Sequence, residues 1–240
     1  MLYNLEAVQN NIRNKDGRRV FYLGKGDLLN NEARDFLFRQ GIPVLPAQEA
    51  KPDHYVLPGG GILAEKPEHM THLQDNILVP KTHPRIAFRG AMDSLEAELL
   101  WCQLTVPELK EALGEILQLA RNVIRWEVMN EPAQFAPLCG LDAQQLRSHS
   151  HRPQDFYGQP HFMPQVTDGA QILQLNKARC AARRAELAAV NAFLDGDGAP
   201  TRPDLLQILN RISSMIYILM IQLKAKQQLP IRRSDKLELK

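Results

Sequence analysis

The residues of this 240-residue chain that could do chemistry fall at helical spacing. Arg179, Arg183 and Glu186 are four and three residues apart, so they share one helix face, with Asn176 one turn earlier. Arg85, Arg89 and Asp93 follow one another at intervals of four and share a face in the same way. Asn210 and Arg211 interrupt a run that is otherwise apolar. As solvated pairs, such neighbours stabilise a helix by only about 0.2–0.5 kcal/mol each. Three sets on helices that pack together imply instead that the charges converge. Several guanidiniums beside one or two carboxylates suit a polyphosphate with its magnesium ion.

A second constellation lies in the loop from 149 to 164, HSHRPQDFYGQPHFMP, where His149, His151 and His161 stand beside Phe156, Tyr157, Phe162 and Met163. Three readings of it stay open: a three-histidine metal site, a packed loop closing the end of a bundle, and a lid over a flat apolar ligand. Other chemistries lack their motifs. No phosphate loop ending in Gly-Lys-Ser/Thr is present, and Gly24, Lys25, Gly26 and Asp27 read as a turn. No Glu-x-x-His pair marks the long helices, which argues against a di-iron carboxylate bundle, and no serine nucleophile elbow occurs. Cys102, Cys139 and Cys180 are odd in number and far apart, against both a disulfide framework and a cysteine-rich zinc site. The expectation is therefore no protein-held metal.

Charge and composition narrow the class. Lys plus Arg is 29 and Asp plus Glu is 27, a net charge of +2, which speaks against a nucleic-acid binder. Hydrophobic residues make up 44% and charged residues 23%, as in an ordinary globular chain, while aromatics at 6% are sparse for an all-β protein. The start, MLYNLEAVQNN, lacks the charged and apolar regions of a signal peptide. The most apolar stretch, residues 205 to 223, is broken by Asn210, Arg211, Ser213 and Ser214 and reads as a core helix, not a membrane span. The expected setting is cytoplasmic.

The elements that must position these residues can be read from periodicity. Leu2, Leu5, Val8 and Ile12 mark a short amphipathic helix, Arg19 to Leu23 a strand, Asn30 to Gln40 a helix stopped by Gly41, and Ile42 to Leu45 a second strand. Pro52, Pro58, Gly59, Gly60, Gly61 and Pro67 then mark a linker. The second part is helical. Met92, Leu95, Leu99 and Cys102 belong to a helix from about Pro84 to Leu104, and Thr105 with Glu108 and Pro107 predicts a capping box for the next, which runs to about Asn130. A proline-containing loop with a short helix near 141–148 follows. A third long helix spans about Gly169 to Leu194, and Thr201 is expected to cap a fourth with Leu205, Ile208, Leu209, Ile212, Ile216, Leu219 and Leu223 on its apolar face. The predicted fold is an all-α, up-and-down bundle of four to five helices with a small N-terminal α/β appendage. Its expected divisions are 1–66 for appendage and linker, 67–226 for the bundle, and 227–240 for a loosely held tail.

Three segments resemble a known family, the corrinoid adenosyltransferases of the ethanolamine-utilisation type, relatives of the propanediol-utilisation-type ATP:cob(I)alamin adenosyltransferases. VPKTHPRIAFRGAMDSLEAEL, Val79 to Leu99, is similar to the family's Lys then Arg-Ile segment and Asp-containing helix. RCAARRAEL, Arg179 to Leu187, resembles its R-x-x-x-R-R-A-E helix, and LNRISSMIYIL, Leu209 to Leu219, its closing L-N-R-L-S helix. SHSHRP and the His-Phe-Met-Pro of 161–164 point to the ethanolamine branch.

The resemblance implies transfer of the 5′-deoxyadenosyl group of ATP to the cobalt of cobalamin. Co(II), freed of its lower ligand, is reduced to nucleophilic Co(I), which attacks the ribose C5′ as triphosphate leaves. It assigns Lys81, Arg85 and Arg183 to ATP phosphates, Glu186 to the magnesium-bound phosphate region, and Asp93 with Arg179 to a pair joining neighbouring subunits. Arg89 and Asn210 join the nucleotide-facing set, and His161, Phe162 and Met163 the cover of the lower corrin face. The implied partners are a reductase, two further copies in a homotrimer, and ethanolamine ammonia-lyase or microcompartment proteins. Two features depart from the pattern. The glycine-rich phosphate-cradling loop of the propanediol-type enzymes has no counterpart, and the Cys-rich metal motif of some ethanolamine-type members is replaced by HYVLPGGGILAEKPEHMTHL, residues 54–73, which has no cysteine. A non-catalytic corrinoid carrier or compartment scaffold is the rival reading. Asp93, Arg179, Arg183 and Glu186 weigh against it, because a carrier needs no triphosphate site.

Overall fold

The computed structural model describes residues 2–15, 17–24, 26–46 and 54–228. Lys25, Pro52 of the expected linker and the tail from 229 onward lie outside the described residues. The chain divides into two compact units, one of residues 1–86 and 127–131, the other of 87–126 and 132–240.

The first unit alternates short strands and two small helices: β1 (Leu2–Tyr3), α1 (Leu5–Asn11), β2 (Arg13–Lys15), β3 (Arg18–Leu23), β4 (Leu28–Leu29), α2 (Asn31–Arg39), β5 (Val44–Pro46), β6 (Tyr55–Val56), β7 (Ile62–Leu63), β8 (Met70–Gln74) and β9 (Ile77–Pro80). Asn4 and Asn30 start the helices by accepting the backbone N–H groups of Ala7 and Ala33, each at 2.8 Å. Gly41 ends α2 at φ +61°, a conformation costly to any residue with a Cβ. β3 is the centre of a three-stranded sheet, antiparallel to β2 and parallel to β5. Val8, Phe21, Ala33, Leu37 and Ile42 form the core between sheet and helices. Leu2 and Tyr3 are not helical as expected; they pair in parallel with Leu28 and Leu29.

Strand pairing also moves the boundary of the unit. The glycine run expected as linker is the turn of the β6–β7 hairpin. The Leu57 N–H donates to the Gly61 carbonyl at 2.7 Å, and the N–H of Gly60, at φ +86°, donates to the Leu57 carbonyl at 2.8 Å. β6 then pairs with β9 through Val56 and Ile77, and β9 with β8, giving a four-stranded sheet in the order β7-β6-β9-β8. The compact unit therefore extends to Ile86, past the 66/67 division that proline and glycine content suggests.

The second unit is helical: α3 (Pro84–Thr105), α4 (Lys110–Val128), α5 (Ala143–His151), α6 (Pro153–Tyr157), α7 (Gly169–Ala192) and α8 (Pro203–Gln228). α3 buries Phe88, Met92, Leu95, Leu99 and Cys102 at its expected period. α7 buries Ile172, Leu175 and then Ala178, Ala181, Ala182, Ala185 and Ala189, small side chains that let the bulkier face of α8 come close. Every predicted apolar residue of α8, Leu205, Ile208, Leu209, Ile212, Ile216, Leu219 and Leu223, is buried in one core. By length and composition α8 resembles a membrane span, but 61% of its most apolar window is buried inside the protein. The four long helices and the α/β appendage are as the sequence predicts.

Two expected caps do not form. A 3₁₀ turn at Pro107–Leu109 precedes α4, and the Thr105 hydroxyl donates back to the Trp101 carbonyl at 2.9 Å. Thr201 likewise donates to the Phe193 carbonyl, at 2.9 Å, and α8 begins two residues later. In each case a carbonyl at the end of the preceding helix claimed the hydroxyl first. α5 does carry a capping box, between Asp142 and Gln145.

Candidate active site

α7 and α8 are joined by a short link and run antiparallel, and their polar residues meet as rungs. Glu186 accepts from the Asn210 side-chain amide at 2.9 Å. Seven residues back along α7 and seven forward along α8, the Arg179 guanidinium sits over the Tyr217 ring, 5.6 Å from its centroid. Seven further along α8, Lys224 pairs with Asp168, just before α7 begins. A heptad advances a helix by about 10 Å, so the rungs form a row along one side of the pair.

The side chains of the first rung are held but open. Asn210 is exposed, Glu186 is half-buried, and its Oε1 takes the Asn210 amide. Arg211 donates to Asn210 Oδ1 at 2.6 Å, while its Nε is buried without a partner. Burial, with the charge of Arg147, lowers the Arg211 pKa from its ordinary value, and Glu186 opposes the shift. Arg183, one turn from both Arg179 and Glu186, is exposed to solvent. This is a cationic face with one carboxylate braced in it.

The second rung meets the loop. Arg179 donates through Nε and Nη2 to Asn176 Oδ1, at 3.2 and 3.1 Å. Tyr217 stacks against His161, with centroids 5.8 Å apart and planes 10° apart, and against Phe162 at 6.5 Å. Its hydroxyl lies 2.9 Å from His161 Nδ1. Phe162 is half-buried with Lys224 Nζ 5.2 Å over its ring, whereas Met163 is 83% exposed. The hydrogen bond from Lys224, together with the Gln165 backbone N–H, holds the Asp168 carboxyl below the usual carboxylate range.

The three histidines are not gathered. His149 stacks on Phe156 at 3.7 Å and its Nδ1 lies 2.8 Å from the Tyr157 hydroxyl. His161 is on Tyr217, and His151 contributes its backbone carbonyl to His161 Nε2 at 3.1 Å. Among the described residues, no three His, Cys, Asp or Glu side chains cluster as a metal site. Burial pushes the Cys102 thiol up to about 11 and that of Cys139 up to about 12, so neither is a thiolate near neutral pH.

The remaining predicted residues lie at the start of α3 and just before it. Lys81 is exposed and makes a 3.4 Å ion pair with exposed Glu68, worth little. Arg85 donates through Nε to Oε1 of Glu127 at 2.6 Å and through Nη2 to the Glu127 carbonyl at 3.1 Å. Glu127 is fully buried. Arg89 is half-buried. Asp93 is exposed and, among the described residues, makes no bond to Arg179. Along the same face of α3, Leu100, Trp101 and Leu104 are 49%, 53% and 70% exposed.

Sequence reasoning missed Glu127, Tyr217 and Lys224. Glu127 left no signal, since one carboxylate near a helix end is ordinary. Tyr217 and Lys224 did: with Asn210 they repeat every seven residues through an apolar helix. That stripe is too regular for a core face and marks a polar seam.

The model of the cobalamin adenosyltransferase family matches residues 61–223. The chain is 33% identical over 172 residues to the corrinoid adenosyltransferase EutT of Escherichia coli, covering 71% of this chain and 64% of that protein. To the corrinoid adenosyltransferase EutT of Salmonella typhimurium it is 33% identical over 170 residues, covering 70% and 64%. It thus matches a little under two thirds of these relatives' length. The matched span takes in α3 to α7, α8 as far as Leu223, and the first two rungs, Glu186–Asn210 and Arg179–Tyr217; Lys224 of the third lies one residue past it. The chain belongs to the cobalamin adenosyltransferase family.

Proposed function

We propose that this protein transfers the 5′-deoxyadenosyl group of ATP to the cobalt of a corrinoid, giving adenosylcobalamin and triphosphate for an ethanolamine ammonia-lyase. The observation that carries this reading is the first rung and its neighbours: exposed Arg183, and Glu186 braced by Asn210, on one edge of the helix pair. In the reaction Co(I), supplied by a reductase, uses its electron pair to form a bond to the ribose C5′. The C5′–O5′ bond breaks, and its electrons leave on the triphosphate. Positive side chains aimed at that leaving group stabilise the charge it gains. Arg183 has this role, joined by Lys81, Arg85 and Arg89 on the strength of the family resemblance.

Magnesium fits as an ion carried by the phosphates. It takes oxygen ligands, one or two of them carboxylates, and Glu186 supplies the carboxylate on this face. The loop around His161, Phe162 and Met163 serves as the cover for the lower corrin face. The fully apolar, exposed Met163 supports that role, because an apolar cover keeps water off the metal. Asp93 and Arg179 pair between copies in a homotrimer, for which the exposed Leu100, Trp101 and Leu104 along the Asp93 face provide apolar contact area. The setting of this reaction is the bacterial cytoplasm or an ethanolamine-utilisation microcompartment.

The test is the absorption spectrum of cob(II)alamin mixed with the protein and magnesium ATP. A new band from four-coordinate cobalt is expected, followed by adenosylcobalamin once a chemical reductant is added. Corrinoid binding with neither band nor product supports the carrier reading instead.

A further inference from the structure

We propose that Tyr217 is a positioning residue that locks the 159–164 loop to Arg179, so that corrinoid cover and arginine placement are set together. The inference rests on the corrinoid adenosyltransferase reading above. Its starting point is the tautomer of His161. The His151 carbonyl can only accept, so the His161 Nε2 facing it at 3.1 Å carries the hydrogen. In the neutral ring Nδ1 is then an acceptor, and the group 2.9 Å away is the Tyr217 hydroxyl, which must donate to it.

Tyr217 therefore touches both the loop and α7. The hydroxyl fixes His161, the ring stacks on His161 and Phe162, and the same ring lies 5.6 Å from the Arg179 guanidinium. Arg179 is held on its other side by two N–H bonds to Asn176 Oδ1. A phenylalanine at 217 would keep the stack and the cation–π contact. The hydroxyl adds the hydrogen bond that fixes the histidine, and through it the loop, to the helix pair. Displacing the loop thus costs a hydrogen bond and two ring contacts at one residue, the same residue that sets Arg179.

The test uses the full-length protein and Tyr217→Phe, which leaves the apolar packing intact. The expected result is a rise of about three- to tenfold in the KM for corrinoid, as for loss of one neutral hydrogen bond, with the KM for ATP unchanged. A smaller fraction of cob(II)alamin should show the four-coordinate band at saturating ATP. His161→Ala should give a change at least as large, since it also removes a ring contact and the bond to the His151 carbonyl. Adding Tyr217→Phe to it should cost nothing more, because the hydroxyl then has no histidine to hold. Additive effects, or a Tyr217→Phe protein with wild-type corrinoid KM and band, overturn the inference alone. A wild-type protein that shows no band overturns the functional reading, and this inference falls with it.

Discussion

The α7–α8 seam and the segment 149–168, the end of α5, α6 and the loop after it, both present polar groups beside an apolar core, yet they use them in opposite ways. On the seam, Arg183 is exposed, and Glu186 and Asn210 are tied to each other at an open edge. In the segment, His149 is on Tyr157, His161 on Tyr217, and Asp168 on Lys224. The first arrangement leaves charge available to a ligand; the second spends polar groups on holding a shape. Arg85 combines the two uses: its Nε and Nη2 bind buried Glu127, which fixes the guanidinium that the family resemblance assigns to the phosphates. A residue's chemistry is thus decided less by its type than by what has already claimed its hydrogen bonds.

The sharpest way to break this comparison is on the seam. Arg183→Ala and Glu186→Gln should each lower adenosyl transfer by roughly 10²–10³-fold, as for removal of one group that stabilises transition-state charge. Their melting should stay within about 0.5 kcal/mol of wild type, since neither side chain is buried. Undiminished turnover would show that the open edge is only a solvated face.

Glu127→Gln should do the reverse in kind. Breaking a buried pair by removing one partner costs about 3–5 kcal/mol, so chemical denaturation should show a large loss of stability. Arg85→Ala should lose stability as well as activity, and a variant that lost activity alone would move Arg85 to the seam's side of the comparison.

A smaller effect is expected at the loop anchor. The Asp168 carboxyl is held below its ordinary range, so its contribution is complete above the unfolded value, about pH 4, and is lost as pH falls through the folded one. Thermal melts of wild type and Asp168→Asn should differ at neutral pH and converge in acid. A gap that persists at low pH would mean the Lys224 pair is not what anchors the loop.

The smallest effect expected is none. Chelation followed by magnesium alone should restore full activity, and elemental analysis should find no stoichiometric zinc or iron. Activity lost with such a metal would turn the loop's histidines from scaffold into ligands.

The amino-acid sequence was sufficient for whatever depends on local periodicity. The apolar stripes of α3 and α8 and the shared face of Arg179, Arg183 and Glu186 follow from 3.6 residues per turn, and they stand in the structure as read. Composition also excluded the all-β and disulfide-rich classes, because those folds need residues this chain lacks. The folded structure decided what depends on competition among hydrogen-bonding partners, near or distant in the chain. Thr105 and Thr201 look like caps, but nearby carbonyls took their hydroxyls. Gly59–Gly61 look like a linker until β6 pairs with β9, a contact across twenty residues that no local pattern encodes. His149 and His161 keep three roles open until Tyr157 and Tyr217 arrive to occupy them, the latter from a helix more than fifty residues away in the chain. A hydrogen-bonding group has few bonds to give, and the fold determines which neighbour reaches it first.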